Sequence, residues 1–281
     1  MKGPTLQRLA TAVSALCGRD TLLIRTLRPI YALLLTSVSG GQGYLRIING
    51  STPLFANPRH LSALPPVYEP SVFEYLRTHV QPGAQSLNVG AHVGVFALGL
   101  ATWSAPGGHV WAFEPNPVTR AILVDHVSRN RMTRTITISG DAISDHEGEA
   151  RFFAEASAGT SRLGRPHPEA SARQTELTVP LTTMDTLCGD LQITPDWIVM
   201  DIEGFEAAAL RGARRTIQNS PHVRVVLELH PHLWESAGSS REEVERVFEE
   251  LGLEIVHVLQ GQSDPFSIPG VVVLARRVGT S

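Results

Sequence analysis

The sequence predicts a Rossmann-like α/β domain with a mostly parallel sheet and helices on both faces. Three observations predict it. From residue 86 onward, short apolar strands alternate with helix-periodic segments. A glycine turn, Gly90 to Gly94, stands between the first of those strands and a helix, and an acid, Glu114, directly follows the second.

Each element has a local reason. Residues 5–38 read as helical, broken at Pro29 and stopped by Gly40, Gly41 and Gly43. Residues 44–48 pair with Leu54 and Phe55 across Asn49-Gly50, a strong hairpin signal. The prolines Pro58, Pro65, Pro66 and Pro70 read as a linker. Residues 1–66 are therefore expected to form an N-terminal cap, and 67–281 the main domain. In that domain the strands are read at 86–89, 109–113, 135–139, 197–200, 223–229, 254–259 and 271–275, the last two close enough to pair antiparallel. Helices are read at 71–79, from Val95 to Trp103, and at 117–130, 205–213 and 241–251. Residues 150–181 interrupt the alternation and read as an insertion with a mobile loop at 156–172.

Composition narrows the classes of function. With 281 residues, 42% hydrophobic and 18% charged, the chain can bury a sizeable core. A net charge of -3 gives no general reason to bind nucleic acid. Cys17 and Cys188 lack metal-ligand or disulfide spacing, which fits a reducing cytoplasm. The apolar run 9–17 is short and interrupted by Thr11 and Ser14, and 30–38 falls far short of a bilayer span, so no transmembrane helix is expected. A peripheral membrane contact of this first segment stays open, as does an oligomer.

The glycine spacing separates cofactors. A dinucleotide fold wants Gly-x-Gly-x-x-Gly, whereas Gly90 and Gly94 stand four apart with His92 between them. This disfavours NAD and FAD and suits a cofactor without phosphates, S-adenosylmethionine being the common one. Glu114 stands where such folds place an acid on the ribose hydroxyls. Asn116 reads as a helix cap beside it, with Pro117 at the first helical position. Asp141-Ala142, after the third strand, suits the adenine edge.

These residues resemble the FkbM-type methyltransferases, a branch of the S-adenosylmethionine-dependent class I methyltransferases. The resemblance runs through Asn88-Val-Gly-Ala-His-Val-Gly94, Phe113-Glu-Pro-Asn-Pro117, Asp141-Ala-Ile-Ser-Asp145 with Gly148, and Thr183-Met-Asp185 with Leu187. It continues through Asp201-Ile-Glu-Gly-Phe-Glu206, Leu210-Arg-Gly-Ala213 and Leu227-Glu-Leu-His-Pro231, from about Val67 to the end. It implies a seven-stranded sheet with an antiparallel last strand. It also implies a cofactor site of Asn88, Gly90, His92, Gly94, Glu114, Asn116, Asp141, Ala142 and Asp201, and O-methylation of a sugar, glycolipid or polyketide-like hydroxyl. The family usually has an acid where this chain has Asn88, an asparagine where it has His92 and a lysine where it has Val199.

Open α/β sheets put their ligands at the carboxyl ends of strands, which brings Asp201, Glu203, Glu228 and His230 to the reacting end. Here His230 or Asp201 serves as a general base, with Glu203 beside them, His230 being suited by an imidazole pKa near neutrality. Alternatively Asp201, Glu228 and His230 hold a divalent cation; the base is favoured over the metal. A plainer reading makes Glu203 a first-turn helix acid and Glu228 a structural group. Trp234 and His232 are read in a loop after the fifth strand, either lining an acceptor pocket or closing the core. His126, His146, His167, His222 and His257 are read as core or surface residues. The competing hypothesis is a catalytically degenerate scaffold, motivated by Asn88 and Val199.

Overall fold

A computed structural model describes residues 39–155, 161–164, 174–261 and 264–277, together with Thr26, Ile30, Leu33, Leu34, Thr36 and Ser37. The helical segment expected at 5–38 and the loop expected at 156–172 lie largely outside the described residues, as do Cys17 and His167.

The hairpin forms as its turn dictates. Strands β1 (Tyr44–Ile48) and β2 (Thr52–Ala56) pair antiparallel, and Asn49 and Gly50 take φ of 47° and 69°. Helix α1 (Pro70–His79) follows, with Pro70 in its first turn. The alternation then proceeds through β3 (Gln85–Val89), α2 (Val95–Trp103), β4 (His109–Phe113), α3 (Pro117–Arg129) and β5 (Ile136–Ser139). The interrupting stretch contributes β6 (Ala142–Ile143), β7 (Gly148–Ala154), β8 (Arg162–Leu163) and β9 (Thr175–Thr182). Next come α4 (Met184–Leu191), β10 (Trp197–Met200), α5 (Glu206–Arg211), α6 (Arg214–Asn219), β11 (Arg224–Leu229), α7 (Pro231–Ala237), α8 (Arg241–Leu251), β12 (Leu253–Gln260) and β13 (Gly270–Arg276).

Seven strands form one sheet in the order β12-β13-β11-β10-β3-β4-β5. The pairs from β11 through β5 are parallel, and β13 runs antiparallel to both neighbours. Strand periodicity sorts its side chains to two faces. Val110, Ala112, Val199, Val226 and Val273 point toward α1, α2, α3 and the hairpin residues Ile48, Leu54 and Ala56. Leu87, Val89, Ile198, Met200, Val225 and Leu227 point toward the helices α4 to α8. A parallel sheet covered on both faces explains why β10 reads as an unbroken apolar run.

The structure adds what periodicity left out. The stretch at 150–181 belongs to a second sheet, ordered β6-β9-β7-β8, with its own small core of Phe152, Leu163, Val179 and Leu181. The helix expected at 205–213 is α5, which ends at Gly212, where a Cβ would meet the Ser144 carbonyl oxygen at 2.0 Å, and a further short helix, α6, follows it. Asp185 then caps the second one, its carboxylate accepting from the N–H groups of Arg215 and Thr216. Trp234 and His232 lie on α7, a helix, rather than in a loop.

Candidate active site

A cavity of about 320 Å³ opens over the carboxyl ends of β3, β4, β10 and β11. Its first wall is the glycine turn. Gly90 takes φ of 80° and His92 of 48°, and a Cβ on Gly90 would stand 1.9 Å from the Asp201 carbonyl oxygen. Glycine there lets the turn lie directly on the loop that carries Asp201. Gly94, at φ 95°, leads into α2 and packs against Leu123.

Glu114 forms the second wall. One carboxylate oxygen accepts the His92 N–H at 2.8 Å and the other the Asn116 N–H at 2.9 Å. Burial, opposed by those two hydrogen bonds and the Arg120 charge, pushes its carboxyl up to about 7. Each oxygen retains acceptor capacity on the cavity side. Asp141, Ala142 and Ile143 continue this wall, and Phe113, Phe152 and Leu163 make it apolar. The set fits an adenosine: paired acceptors for two ribose hydroxyls beside an apolar slot for a base.

The third wall is charged. The His230 ring is held through Nδ1, 2.8 Å from Glu206 Oε1, while Nε2 faces Asp201 at 3.6 Å, Glu228 at 3.7 Å and Glu203 at 3.8 Å. Glu206 is fully buried and also accepts the Gly204 N–H and the Trp234 indole N–H, both at 2.9 Å. Burial lowers the His230 pKa, but the Glu206 hydrogen bond and the charges of Glu206, Asp201 and Glu203 win and push it up to about 10. Burial first, then like charge from Glu228, raises Asp201 well above the carboxylate range. Burial is also the main cause that raises Glu203 and Glu228.

Several sequence expectations are corrected here. Where the sequence reading puts the His230 imidazole near neutrality, the surrounding acids Glu206, Asp201 and Glu203 push it up to about 10 against burial. Glu203 is not a first-turn helix acid: it sits in the turn before α5 at φ 54°, and Glu206 opens that helix. Of the expected cofactor residues, Gly90, His92, Glu114, Asp141, Ala142 and Asp201 line the cavity, whereas Asn88, Gly94 and Asn116 do not. Asn116 caps α3, accepting the Val118 N–H, and its amide donates to the Glu155 carbonyl and to Ser161. Asn88 lies buried on β3, where its amide nitrogen reaches the Val199 carbonyl at 3.4 Å.

Other wall residues escaped the sequence reading. Tyr68 and Glu69 come from the segment taken as a linker. Burial and the Glu228 charge push Glu69 up to about 7, against a Tyr68 hydrogen bond and the His230 charge. The available signal was Pro70, which marks Glu69 as the residue capping a helix. Arg162, from the second sheet, is buried with its guanidinium over Phe205 at 5.6 Å and donates to Ser236 at 2.8 Å. Nothing local in the sequence marks it.

A family model described as "Methyltransferase FkbM domain" matches residues 88–255, more than half of the chain. Among solved structures, an O-methyltransferase from Bacillus cereus in complex with SAH is 14% identical, covering 73% of this chain and 80% of its own, with a TM-score of 0.45. Aeropyrum pernix fibrillarin with bound S-adenosyl-L-methionine is 16% identical, covering 70% and 67%, at 0.39. An rRNA methylase from Streptococcus thermophilus is 9% identical, covering 74% and 95%, at 0.45. No curated protein sequence matches the chain.

Proposed function

The chain belongs to the FkbM methyltransferase family, and from that premise we propose that it transfers the methyl group of S-adenosylmethionine to a hydroxyl of a sugar, glycolipid or polyketide-like small molecule. One observation carries the reading. A single cavity has a buried paired acceptor, Glu114, on one side and a carboxylate and imidazole cluster, Asp201, Glu203, Glu228 and His230, on the other.

The cofactor, when bound, supplies an electrophilic methyl on a positively charged sulfur. Glu114 holds its ribose hydroxyls, the Gly90 to His92 turn its amino-acid end, and Asp141 with Ala142 its adenine edge. These residues fix the methyl relative to the acceptor, and positioning of this kind can supply much of the rate. Asp201 and Glu203 hold the acceptor hydroxyl, and the ionised member of the pair accepts its proton; burial, which raises both, makes that carboxylate a stronger base than an exposed one. His230, charged and anchored by Glu206, keeps the two acids near one another. Tyr68, Glu69 and Arg162 line the same cavity beside the acid cluster.

The acid-lined wall favours a neutral, hydroxyl-bearing acceptor and disfavours a phosphate-rich one such as nucleic acid. Calorimetric titration with S-adenosylmethionine, beside Glu114→Ala and an NADH control, tests the cofactor. Micromolar binding lost in the variant is expected, followed by turnover with hydroxylated acceptors. A folded wild type that binds no S-adenosylmethionine would favour the degenerate scaffold.

A further inference from the structure

Three side chains at the carboxyl ends of β10 and β11 present one donor atom each within 4.8 Å of one another: Asp201, Glu203 and His230. A fourth, Glu228, faces the same His230 nitrogen at 3.7 Å. These separations exceed hydrogen-bond length but lie within ion-pair range, so His230 Nε2 meets the acids by charge and not by a hydrogen bond. His230 is nonetheless more than nine-tenths buried, its side chain only 7% exposed, and Nε2 is aimed into the cluster. Asp201 Oδ1 is a second buried atom there without a hydrogen-bond partner among the described residues.

The other face of the imidazole is fixed. Its Nδ1 is bonded to Glu206, which is in turn locked by Trp234 and Gly204. A ring oriented by a buried carboxylate through one nitrogen, with the other nitrogen presented among carboxylates, is the arrangement by which proteins hold a metal-ligating histidine. The wall also gathers Glu69, Asp201, Glu203 and Glu228 in one cavity with little opposing charge besides His230 and Arg162. Such a surplus of buried negative charge is relieved by a cation.

We propose that Asp201, Glu203 and His230 bind a divalent cation of the Mn²⁺ or Mg²⁺ class, with Glu228 beside it, that the ion takes the place of the proton on His230 Nε2, which is released to solvent, and that the ion orients the hydroxyls of the acceptor. The ion's task rests on the methyl-transfer reading, whereas its site rests on the side chains alone. Oxygen donors with a single imidazole match this class of ion rather than a thiophilic one. Ligands about 2.1 Å from an ion stand at most about 4.2 Å apart, and donor atoms already within 4.8 Å of one another need little or no closure to reach that.

The test is titration of the purified full-length protein with Mn²⁺, without cofactor, followed by electron paramagnetic resonance. One saturable Mn²⁺ per chain, displaced by Mg²⁺, is expected. Asp201→Asn and Glu203→Gln should each weaken it at least tenfold, and Glu206→Gln by about 10–100-fold through loss of ring orientation. Glu228→Gln, at a more open position, serves if either of the first two fails to fold by circular dichroism. Absence of saturable binding by folded wild type, or affinity unchanged in the folded variants, overturns the site. Titration of the same sample with S-adenosylmethionine separates the two readings. Cofactor binding without Mn²⁺ binding sinks the cation site and leaves methyl transfer standing; Mn²⁺ binding without cofactor does the reverse.

Discussion

Glu206 Oε1 lies 2.8 Å from His230 Nδ1, and the carboxylate that makes this contact has no exposed surface. A buried acid holding an imidazole this way fixes the ring and favours its protonated form. Glu206→Ala leaves His230, Trp234 and the Gly204 N–H without their acceptor. Breaking a buried charged pair costs about 3–5 kcal/mol, so a large fall in the chemical-denaturation midpoint is expected. Glu206→Gln keeps the shape and costs less. Its signature is a fall of the His230 pKa from about 10 toward the ordinary imidazole value, read by nuclear magnetic resonance titration. A His230 pKa unmoved by Glu206→Gln would refute this account of the ring.

Glu114 predicts a pH dependence of cofactor binding. Burial pushes its carboxyl up to about 7 in the free protein, against 4.5 ordinarily. For stability the sign is fixed: the contribution is full below the unfolded value of 4.5 and is lost as pH rises through about 7. Hydroxyl donors favour the charged carboxylate, so cofactor binding reverses that loss and releases a proton. S-adenosylmethionine affinity should therefore climb between pH 5 and 8 and level off above it. Calorimetry in buffers of different ionisation enthalpy measures the proton released. In Glu114→Gln both the proton release and the pH slope should vanish, with affinity falling about 100-fold, as expected for losing hydrogen bonds to a charged group.

Gly90 is predicted to be intolerant for a reason outside the cofactor. Its φ of 80° strains any side chain, and a Cβ would sit 1.9 Å from the Asp201 carbonyl oxygen, which is backbone and cannot swing aside. Gly90→Ala should push the loop of Asp201 and Glu203 away from the sheet, lowering stability by about 1–2 kcal/mol from the left-handed conformation alone and turnover by more than that implies. Gly83→Ala is the control. Its φ of 86° carries comparable backbone strain, but nothing lies within 4 Å of its Cβ. Equal loss of turnover in the two variants would argue against the loop contact.

These cases also show what was legible in the sequence. The strands of the main sheet were readable because each is a short apolar run bounded by turn residues, and β10, Trp197–Met200, is the plainest. Asp201, Glu203, Glu228 and His230 were readable as a group because strand ends in such a sheet converge. Their charge states were not, because the His230 pKa depends on Glu206, whose burial three residues past Glu203 on α5 is set by tertiary packing. Asn116 was readable as a cap because it precedes Pro117 at a helix start, but not the donation of its amide to Glu155 and Ser161, which come from the second sheet and its loop. Tyr68, Glu69 and Arg162 reach the cavity only through tertiary packing across the fold.

Arg162 gives the last prediction. It stands on β8 in the second sheet, yet its guanidinium lies over Phe205, and Nη1 donates to Ser236 on α7. It therefore ties the inserted sheet to the two helices that carry Glu206 and Trp234. Its charge also acts on the acid wall: burial lowers the Arg162 pKa, while Glu203 and Glu206 raise it, so the cation and those acids stabilise one another. Arg162→Met retains an apolar stem for Phe205 but removes the charge. Glu203 should then bind its proton more tightly and act as a weaker acceptor-binding group at pH 7. Glu114 and Asp141, on the opposite wall, keep their own partners. The expected outcome is S-adenosylmethionine affinity within about twofold of wild type and an acceptor kcat/KM lowered at least tenfold, a difference of about 1.4 kcal/mol in transition-state stabilisation. Raising the pH should recover part of the loss as Glu203 ionises. Equal loss of cofactor and acceptor binding, with no recovery at higher pH, would instead make Arg162 a strut for the second sheet and nothing more.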